Sequence, residues 1–480
     1  MELLGILTIF FLASVVSLVV KRRAVIESLS VVSATMAVVV AYSVASKVAV
    51  SGTYLPYRFF AVDALGAIML LIIGTIGLAV AIYSVWYLRS ESEKNILGFT
   101  RVQQYFILLN LFLGVMMLAV MSSNPIFTWI SIEATTLSTA FLISFYNKPS
   151  AMEAAWKYLL LNATGLLLAF LGTLLFFTAV SSTGGASGIT WSGLLAQAGH
   201  LDPFIAKIAF IFVLVGYGTK VGLVPMHTWL PDAHSKAPPP ISALLSGVLL
   251  NVAFMTLIRL KGITDVSIGS HAFTQHILVF FGLLSIVVAT LIIFTQKNYK
   301  RLLAYSSIEN MGIATLGIGL GGLGAVAALL HLMYHALIKS GLFLLSGTIF
   351  LRYSTTKIAR ILGVAATLPV TGTLFFLGFF AITGTPPFGI FLTKIYILTA
   401  LFHAWPWLAV VMILSTVILF VGFFRHVMGM VFGKKPNDVA QGREHIWLVL
   451  PPLILVALAL YLSWSLPPLL RTLINQAAIQ

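Results

Sequence analysis

Residues 210–234 read FIFVLVGYGTKVGLVPMHTWLPDAH, an apolar run that carries Lys220 and is then interrupted by Pro225 and Pro231. Runs of this kind are candidates to enter a bilayer, whose hydrocarbon core is about 30 Å thick. Proline removes a backbone donor and breaks a helix, and broken backbone at membrane depth persists only inside protein or along a wet cavity. An ammonium group there costs roughly 2.5–3.5 kcal/mol on insertion scales unless it meets a partner or water. The stretch therefore predicts a polytopic helical membrane protein with a polar interior.

Working outward, 60% of the 480 residues are apolar and only 9% are charged, with a mean hydropathy of +1.04. This excludes a soluble globular protein. Apolar runs recur about fourteen times, with centres near residues 11, 37, 75, 111, 135, 165, 215, 250, 284, 311, 338, 382, 419 and 458. Almost no polypeptide is left for a soluble domain. Cysteine is absent, so thiolate cluster ligation, disulfides and a Cys nucleophile are excluded. The first run is preceded by Glu2 and followed by Lys21-Arg22-Arg23, which favours a retained span over a signal peptide.

The formal charge of +15 has a topological distribution. Connections after odd-numbered runs carry most of the lysine and arginine, among them Arg89, Lys94, Lys148, Lys236, Lys300, Arg301 and Lys434. Connections after even-numbered runs hold little beyond Arg58 and Lys261. The positive-inside rule then puts odd connections in the cytoplasm and both termini outside, in the plasma (inner) membrane of a prokaryote. Nucleic acid is not needed to explain the charge. The longest outside connection opens with the Ser/Gly-rich stretch Ser181–Ser187, and Ile189, Trp191, Leu194 and Leu195 after it suit a short interfacial turn.

The chain reads as one all-α membrane domain over 1–480, with two halves that echo one another. Thr164-Gly165-Leu166 through Gly172-Thr173 resembles Ser340-Gly341-Leu342 through Gly347-Thr348, and the next run in each half is broken by proline, at Pro225 and at Pro386-Pro387. An offset of five spans reverses orientation. The expected plan is three N-terminal helices in 1–99, inverted five-helix repeats in 100–262 and 271–432 with broken helices 7 and 12, and a fourteenth helix in 446–471. Matching breaks in inverted repeats point to a transport site near the midplane.

Glu133 lies about 15 Å into its helix, near the bilayer centre, and an ion pair with Lys220 would let both charges survive burial. His331, His335 and Lys339 follow at i, i+4 and i+8 and share one helix face. Imidazole can hold or pass protons near neutral pH, so the stripe suits a water-bridged relay. Lys394 follows the second break as Lys220 precedes the first. Glu309 is placed to counter either Lys339 or Lys394. Glu153 and Lys157 can pair along one helix, or Lys157 can bridge Lys220 to the axis. His227 and His234 flank Trp229-Leu230-Pro231-Asp232 beside the first break and could admit protons or cap an irregular segment.

These positions carry a family pattern. Lys220–His234, Lys300–Gly312 (KRLLAYSSIENMG) and His331–Gly347 (HLMYHALIKSGLFLLSG) resemble motifs of the antiporter-like membrane subunits. That family is shared by respiratory complex I, multisubunit Na⁺/H⁺ antiporters and group 4 membrane-bound hydrogenases. Ile132–Thr136 (IEATT), Glu153–Tyr158 (EAAWKY) and Ser307–Gly312 (SIENMG) resemble its hydrogenase-4 component F branch. The resemblance implies a fourteen-helix fold, a coupling pair Glu133–Lys220, a central axis of His331, His335 and Lys339, and an exit-side Lys394. It also implies neighbouring antiporter-like and small membrane subunits and a peripheral hydrogenase or dehydrogenase arm. Nickel–iron and iron–sulfur centres would sit in those partners and none in this chain. Two departures matter. Asn251 stands where many relatives carry a lysine in the eighth span, and no long lateral helix follows before Gln480.

The expected function is H⁺ translocation, or Na⁺/H⁺ antiport, within a redox-driven complex, with no catalysis by this chain alone. A multisubunit Na⁺/H⁺ antiporter, an inorganic-carbon uptake system and a non-conducting membrane scaffold are the alternatives.

Overall fold

The computed structural model describes residues 2–57, 59–178, 189–437, 439 and 442–479. Arg58 and the stretch Ser181–Ser187 lie outside the described residues. The first six long helices are α1 (Glu2–Val19), α2 (Arg23–Ser51), α3 (Ala64–Glu93), α4 (Phe99–Met121), α5 (Pro125–Ile143) and α6 (Pro149–Phe176). A small antiparallel hairpin, β1 (Thr53–Tyr57) with β2 (Phe60–Asp63), joins α2 to α3. Next come α7 (Trp191–Gln197), α8 (Pro203–Val221), α9 (Trp229–Lys236) and α10 (Pro239–Ile268). The second half holds α11 (Ala272–Ile293), α12 (Tyr299–Leu320), α13 (Gly322–Tyr353), α14 (Pro369–Thr383), α15 (Gly389–Ala404), α16 (Pro406–Phe432) and α17 (Ile446–Trp464).

Among the described residues, twelve helices are long and apolar enough to cross a membrane. Two further helical segments stand where the other expected spans fall. One is α12, whose 22 residues span about 33 Å. Its polar residues Ser306, Ser307, Glu309 and Asn310 lower its hydropathy, and all four are buried by neighbouring helices. The other is the pair α14 and α15, each too short to cross alone.

Both breaks are built alike. Helix α8 ends on Gly222 at φ +84°, where the glycine N–H bonds back to the Gly218 and Thr219 carbonyls, and a cis Val224-Pro225 bond follows. Helix α14 ends on Gly384 at φ +83°, and a cis Pro386-Pro387 bond follows. Glycine is the residue that adopts this left-handed conformation without penalty.

Glycine also sets how closely α6 and α8 approach. A Cβ at Gly172 would lie 2.7 Å from the Ala209 carbonyl oxygen, and one at Gly165 would lie 2.7 Å from Thr219 Cβ. The matching Gly341 packs elsewhere, against Val456 and Pro452 of α17. The repeated glycine words therefore serve different neighbours in the two halves.

Three details differ from expectation. Helix α17 stops at Trp464, and a separate amphipathic helix, α18 (Pro468–Ile479), turns back with Leu473, Ile474 and Ala477 buried. Proline at 467 and 468 accounts for the stop. Lys300, counted above among the loop cations, is buried at the start of α12 with 3% exposure. Leu194 of α7 is buried while Leu195 and the preceding Ile189 are exposed, and Trp191 packs under the Arg259 guanidinium, 5.2 Å from its ring centroid.

Candidate functional site

Helix α5 starts cleanly because Asn124 caps it, its Oδ1 accepting from the Ile126 and Phe127 N–H groups, with Pro125 in the first turn. That start orients Glu133 and Thr136 toward α8. Lys220, in the last turn of α8, is fully buried. Its Nζ donates to Thr136 Oγ1 at 2.8 Å and to Tyr158 OH at 2.9 Å. Thr136 in turn donates to Glu133 Oε2 at 3.4 Å. Lys220 thus reaches Glu133 through a threonine hydroxyl rather than by the direct ion pair expected. The ammonium also lies 5.0 Å from the Tyr158 ring centroid, and Tyr158 OH is 2.5 Å from Thr139 Oγ1. Trp229 closes the break behind it, donating Nε1–H to the Thr219 carbonyl at 2.8 Å.

Asn251 follows a π-helical turn (Leu245–Leu249) in α10, which packs beside both α8 and α13. The residue is fully buried and donates to the Gly247 carbonyl at 3.0 Å. Its Oδ1 has no hydrogen-bond partner among the described residues. Ser246 and Ser307 pair at 2.8 Å and link α10 to α12.

His331, His335 and Lys339 are fully buried along α13. Lys339 donates to the Leu303 carbonyl at 2.6 Å and also to Ser306 Oγ. His335 has no partner for either ring nitrogen among the described residues. His331 sits between Thr393 Oγ1 at 2.8 Å and Asn310 Oδ1 at 3.1 Å. Asn310 donates to Glu309 Oε2 at 2.5 Å, and Glu309 Oε1 accepts from Lys394 Nζ at 2.8 Å. Lys394 also donates to the Thr383 carbonyl at 3.1 Å. Glu309 is therefore the counter-ion of Lys394, not of Lys339.

Lys157 lies away from this interior. Its side chain is 51% exposed, pairs with Glu153 at 2.6 Å and faces Asp232 at 3.7 Å, so it does not bridge Lys220 to the axis. Asp232 is held on its other side by Arg301. His227 is buried against the Tyr305 ring, 6.3 Å between centroids, and His234 stacks on Phe343 at 4.6 Å.

Several groups here were not legible beforehand. Tyr158, Thr136 and Thr393 act across helices, and although Thr136 and Tyr158 end quoted motifs, nothing in those segments shows that they would meet Lys220. Asn310 could have been noticed as a second polar residue beside Glu309 in an apolar run. Among the described residues, no group of three or more His, Cys, Asp or Glu converges to hold a metal ion.

Helix breaks carrying buried lysines, with titratable side chains between them, define a multi-pass membrane protein of the ion-translocating kind. Residues 122–419 match the family described as NADH:quinone oxidoreductase/Mrp antiporter, TM, and residues 57–96 match NADH-ubiquinone oxidoreductase (complex I), chain 5 N-terminus. A hydrogenase-4 component F homolog from Methylacidiphilum infernorum (isolate V4) is 38% identical over 393 residues, covering 81% of this chain and 82% of that protein. A Na⁺/H⁺ antiporter protein from Alkalihalophilus pseudofirmus, one component of that transporter, is 30% identical over 450 residues, 87% of this chain and 54% of its own length. The fold is shared with a chain of an archaeal membrane-bound sulfane sulfur reductase, at a TM-score of 0.87 and 22% identity over 99% of this chain and 97% of that one. It is shared equally with a chain of the Mrp complex from Dietzia sp. DQ12-45-1b, at a TM-score of 0.86 and 20% identity over 99% and 96%.

The chain belongs to the NADH:quinone oxidoreductase/Mrp antiporter membrane family. The motif resemblance to antiporter-like subunits agrees with these matches, which include hydrogenase-4 component B of Escherichia coli at 28% identity.

Proposed function

We propose that this chain translocates protons, or exchanges Na⁺ for H⁺, as one membrane subunit of a redox-driven complex of the group 4 hydrogenase or complex I type. The observation that carries the reading is the pair of buried lysines, Lys220 and Lys394, each set at a helix break with a carboxylate in reach. Glu133 serves the first through Thr136, and Glu309 touches the second. His331, His335 and Lys339 lie between them on α13.

Retaining charge here is costly, so each lysine depends on its neighbours to stay protonated. Withdrawal of Glu133 from the Thr136 hydroxyl leaves Lys220 with two neutral oxygens, and its proton passes on through Asn251 and water toward Lys339 and His335. His335 suits that handover, because buried polar atoms require a partner and water is an exchangeable one. His331 and Asn310 connect the axis to Glu309 and Lys394, which releases the proton on the far side. Moving one charge against 100 mV takes about 2.3 kcal/mol.

In this arrangement residues 100–262 and 271–432 act as two opposed five-helix half-channels, after the N-terminal helices in 1–99. The odd connections lie in the cytoplasm, both termini lie outside, and the membrane is the prokaryotic plasma membrane. Redox centres, nickel–iron and iron–sulfur, belong to a peripheral arm, and other antiporter-like and small membrane subunits flank the chain. The similarity to a Na⁺/H⁺ antiporter component favours one second reading, exchange driven by an ion gradient without a redox arm. Co-purification of the intact assembly separates the two.

Lys220→Ala should abolish ion translocation while leaving the assembled complex intact. Full translocation in that variant would refute the assignment.

A further inference from the structure

Three buried titratable side chains, Glu91, Lys300 and His234, stand outside the path just described. Glu91, near the end of α3, is 1% exposed. Its carboxylate accepts from Tyr87 OH at 3.0 Å and from Tyr146 OH at 2.8 and 2.9 Å. Among the described residues no cation lies within ion-pairing distance of it. Lys300 is 3% exposed and donates to the Ala237 carbonyl at 2.5 Å, with no anion in contact among the described residues. His234 is fully buried, stacked on Phe343, and neither ring nitrogen has a partner among the described residues. The ring on which it stacks lies four residues beyond Lys339 on α13.

Packing brings these groups into one compartment. Tyr83 stacks on Tyr87 at 5.9 Å and shares a 3.1 Å hydrogen bond with Thr348 of α13. A Cβ on Gly347 would meet Tyr83 OH at 2.5 Å and Pro239 Cβ at 2.9 Å, so α3, α13 and the start of α10 converge there. Ala237, the acceptor of Lys300, lies two residues before Pro239. On the surface side, exposed Lys94 follows Glu91 by three residues at the end of α3, and exposed Lys148 follows the Glu91 partner Tyr146 by two.

A frozen structural role would pair Glu91 with Lys300 directly, because an unpaired buried charge is the costlier arrangement. Instead Glu91 and Lys300 keep only neutral hydrogen-bond partners among the described residues, and His234 keeps none, a state that suits gaining and losing a proton. We propose that Glu91, Lys300 and His234 form a proton-uptake branch that loads Lys339 separately from Lys220, each turnover requiring both loads. It opens at the end of the molecule that bears Lys94 and Lys148. A proton from solution binds a Glu91 carboxylate oxygen, crosses bridging water to the Lys300 amine in its unprotonated state, and through water again enters one His234 ring nitrogen while the other releases its own to Lys339. Each transfer breaks one O–H or N–H bond and forms one, with no co-reactant. The branch rests on the reading of Lys339 as part of the translocation axis.

The test uses the intact complex in liposomes loaded with pyranine, with proton flux driven by an imposed pH step. Glu91→Gln and Lys300→Met should each slow flux at least about tenfold, with the double variant no slower than either, because the groups act in series. Glu91→Asp should recover most of the rate. Lys300→Arg separates relay from capping, since arginine can still donate to the Ala237 carbonyl but cannot release its proton. It should block flux as Lys300→Met does, and normal flux in an assembled Lys300→Arg complex overturns the branch. Wild-type flux in Glu91→Gln, with Lys220→Ala still blocked, overturns the branch and leaves the axis standing. Wild-type flux in Lys220→Ala removes the axis and the branch together.

Discussion

Lys394 and Glu309 meet at 2.8 Å with almost no access to solvent, the lysine side chain 7% exposed and the glutamate 0%. Removing one partner of such a pair strands the other, at a cost of about 3–5 kcal/mol, whereas replacing both with apolar groups can be neutral. Glu309→Gln alone is therefore expected to lower the thermal unfolding temperature of the detergent-solubilised complex. Glu309→Gln with Lys394→Met should recover most of that loss without recovering transport. If the double variant is no more stable than the single, the pair is not the source of the penalty. Thr136 supplies a different kind of test. Thr136→Val removes the hydroxyl between Lys220 and Glu133 while keeping the volume, so the two charges lose their link. Transport should fall about tenfold or more with assembly unchanged. An unaltered transport rate would mean that Glu133 reaches Lys220 by another route.

Among the elements, the breaks after α8 and α14 decide where the lysines can stand. At Gly384 a Cβ would lie 2.9 Å from Lys394 Cδ, and the residue holds φ +83°. Gly384→Ala thus strains the backbone and displaces the Lys394 stem. We expect a stability loss of about 1–3 kcal/mol and impaired transport. The readouts are thermal unfolding and vesicle proton flux. Gly429 offers a control, since nothing lies within 4 Å of its added Cβ, and Gly429→Ala should change neither. The prolines and glycines of both breaks were visible in the chain. What they did not disclose was that Gly384 makes room for a particular side chain. That depends on the path of Lys394 back across the break, which no local pattern encodes.

For the whole molecule, orientation is the property most open to direct measurement. The chain contains no cysteine, so single cysteines can be introduced without a background. Ser150→Cys, exposed at the start of α6, should react with a membrane-impermeant maleimide from the cytoplasmic side only. Gly199→Cys, exposed after α7, should react from the opposite side only. Labelling of both from one side would overturn the assigned topology. The same scale explains one expectation that failed. Lys300 was grouped with loop cations because it stands beside Arg301 and Lys297 between two apolar runs. Packing of α12 among its neighbours draws Lys300 inside and leaves Arg301 to pair with Asp232.

From the order of residues alone followed a bundle of membrane-crossing helices, two proline-broken spans and the handful of charges that must lie within them. Those features are local, because hydropathy, proline chemistry and the expense of an ion in hydrocarbon act segment by segment. The antiporter-like character was legible for the same reason, through the continuous motifs around Lys220, Lys300 and His331. Only the tertiary structure decided which charge answers which. It gave Glu309 to Lys394, set Thr136 between Lys220 and Glu133, sent Lys157 to the surface, and placed Glu91 against Tyr146. Such pairings depend on how far each helix is rotated and shifted against its neighbours, and a single strand of sequence holds no coordinate for either.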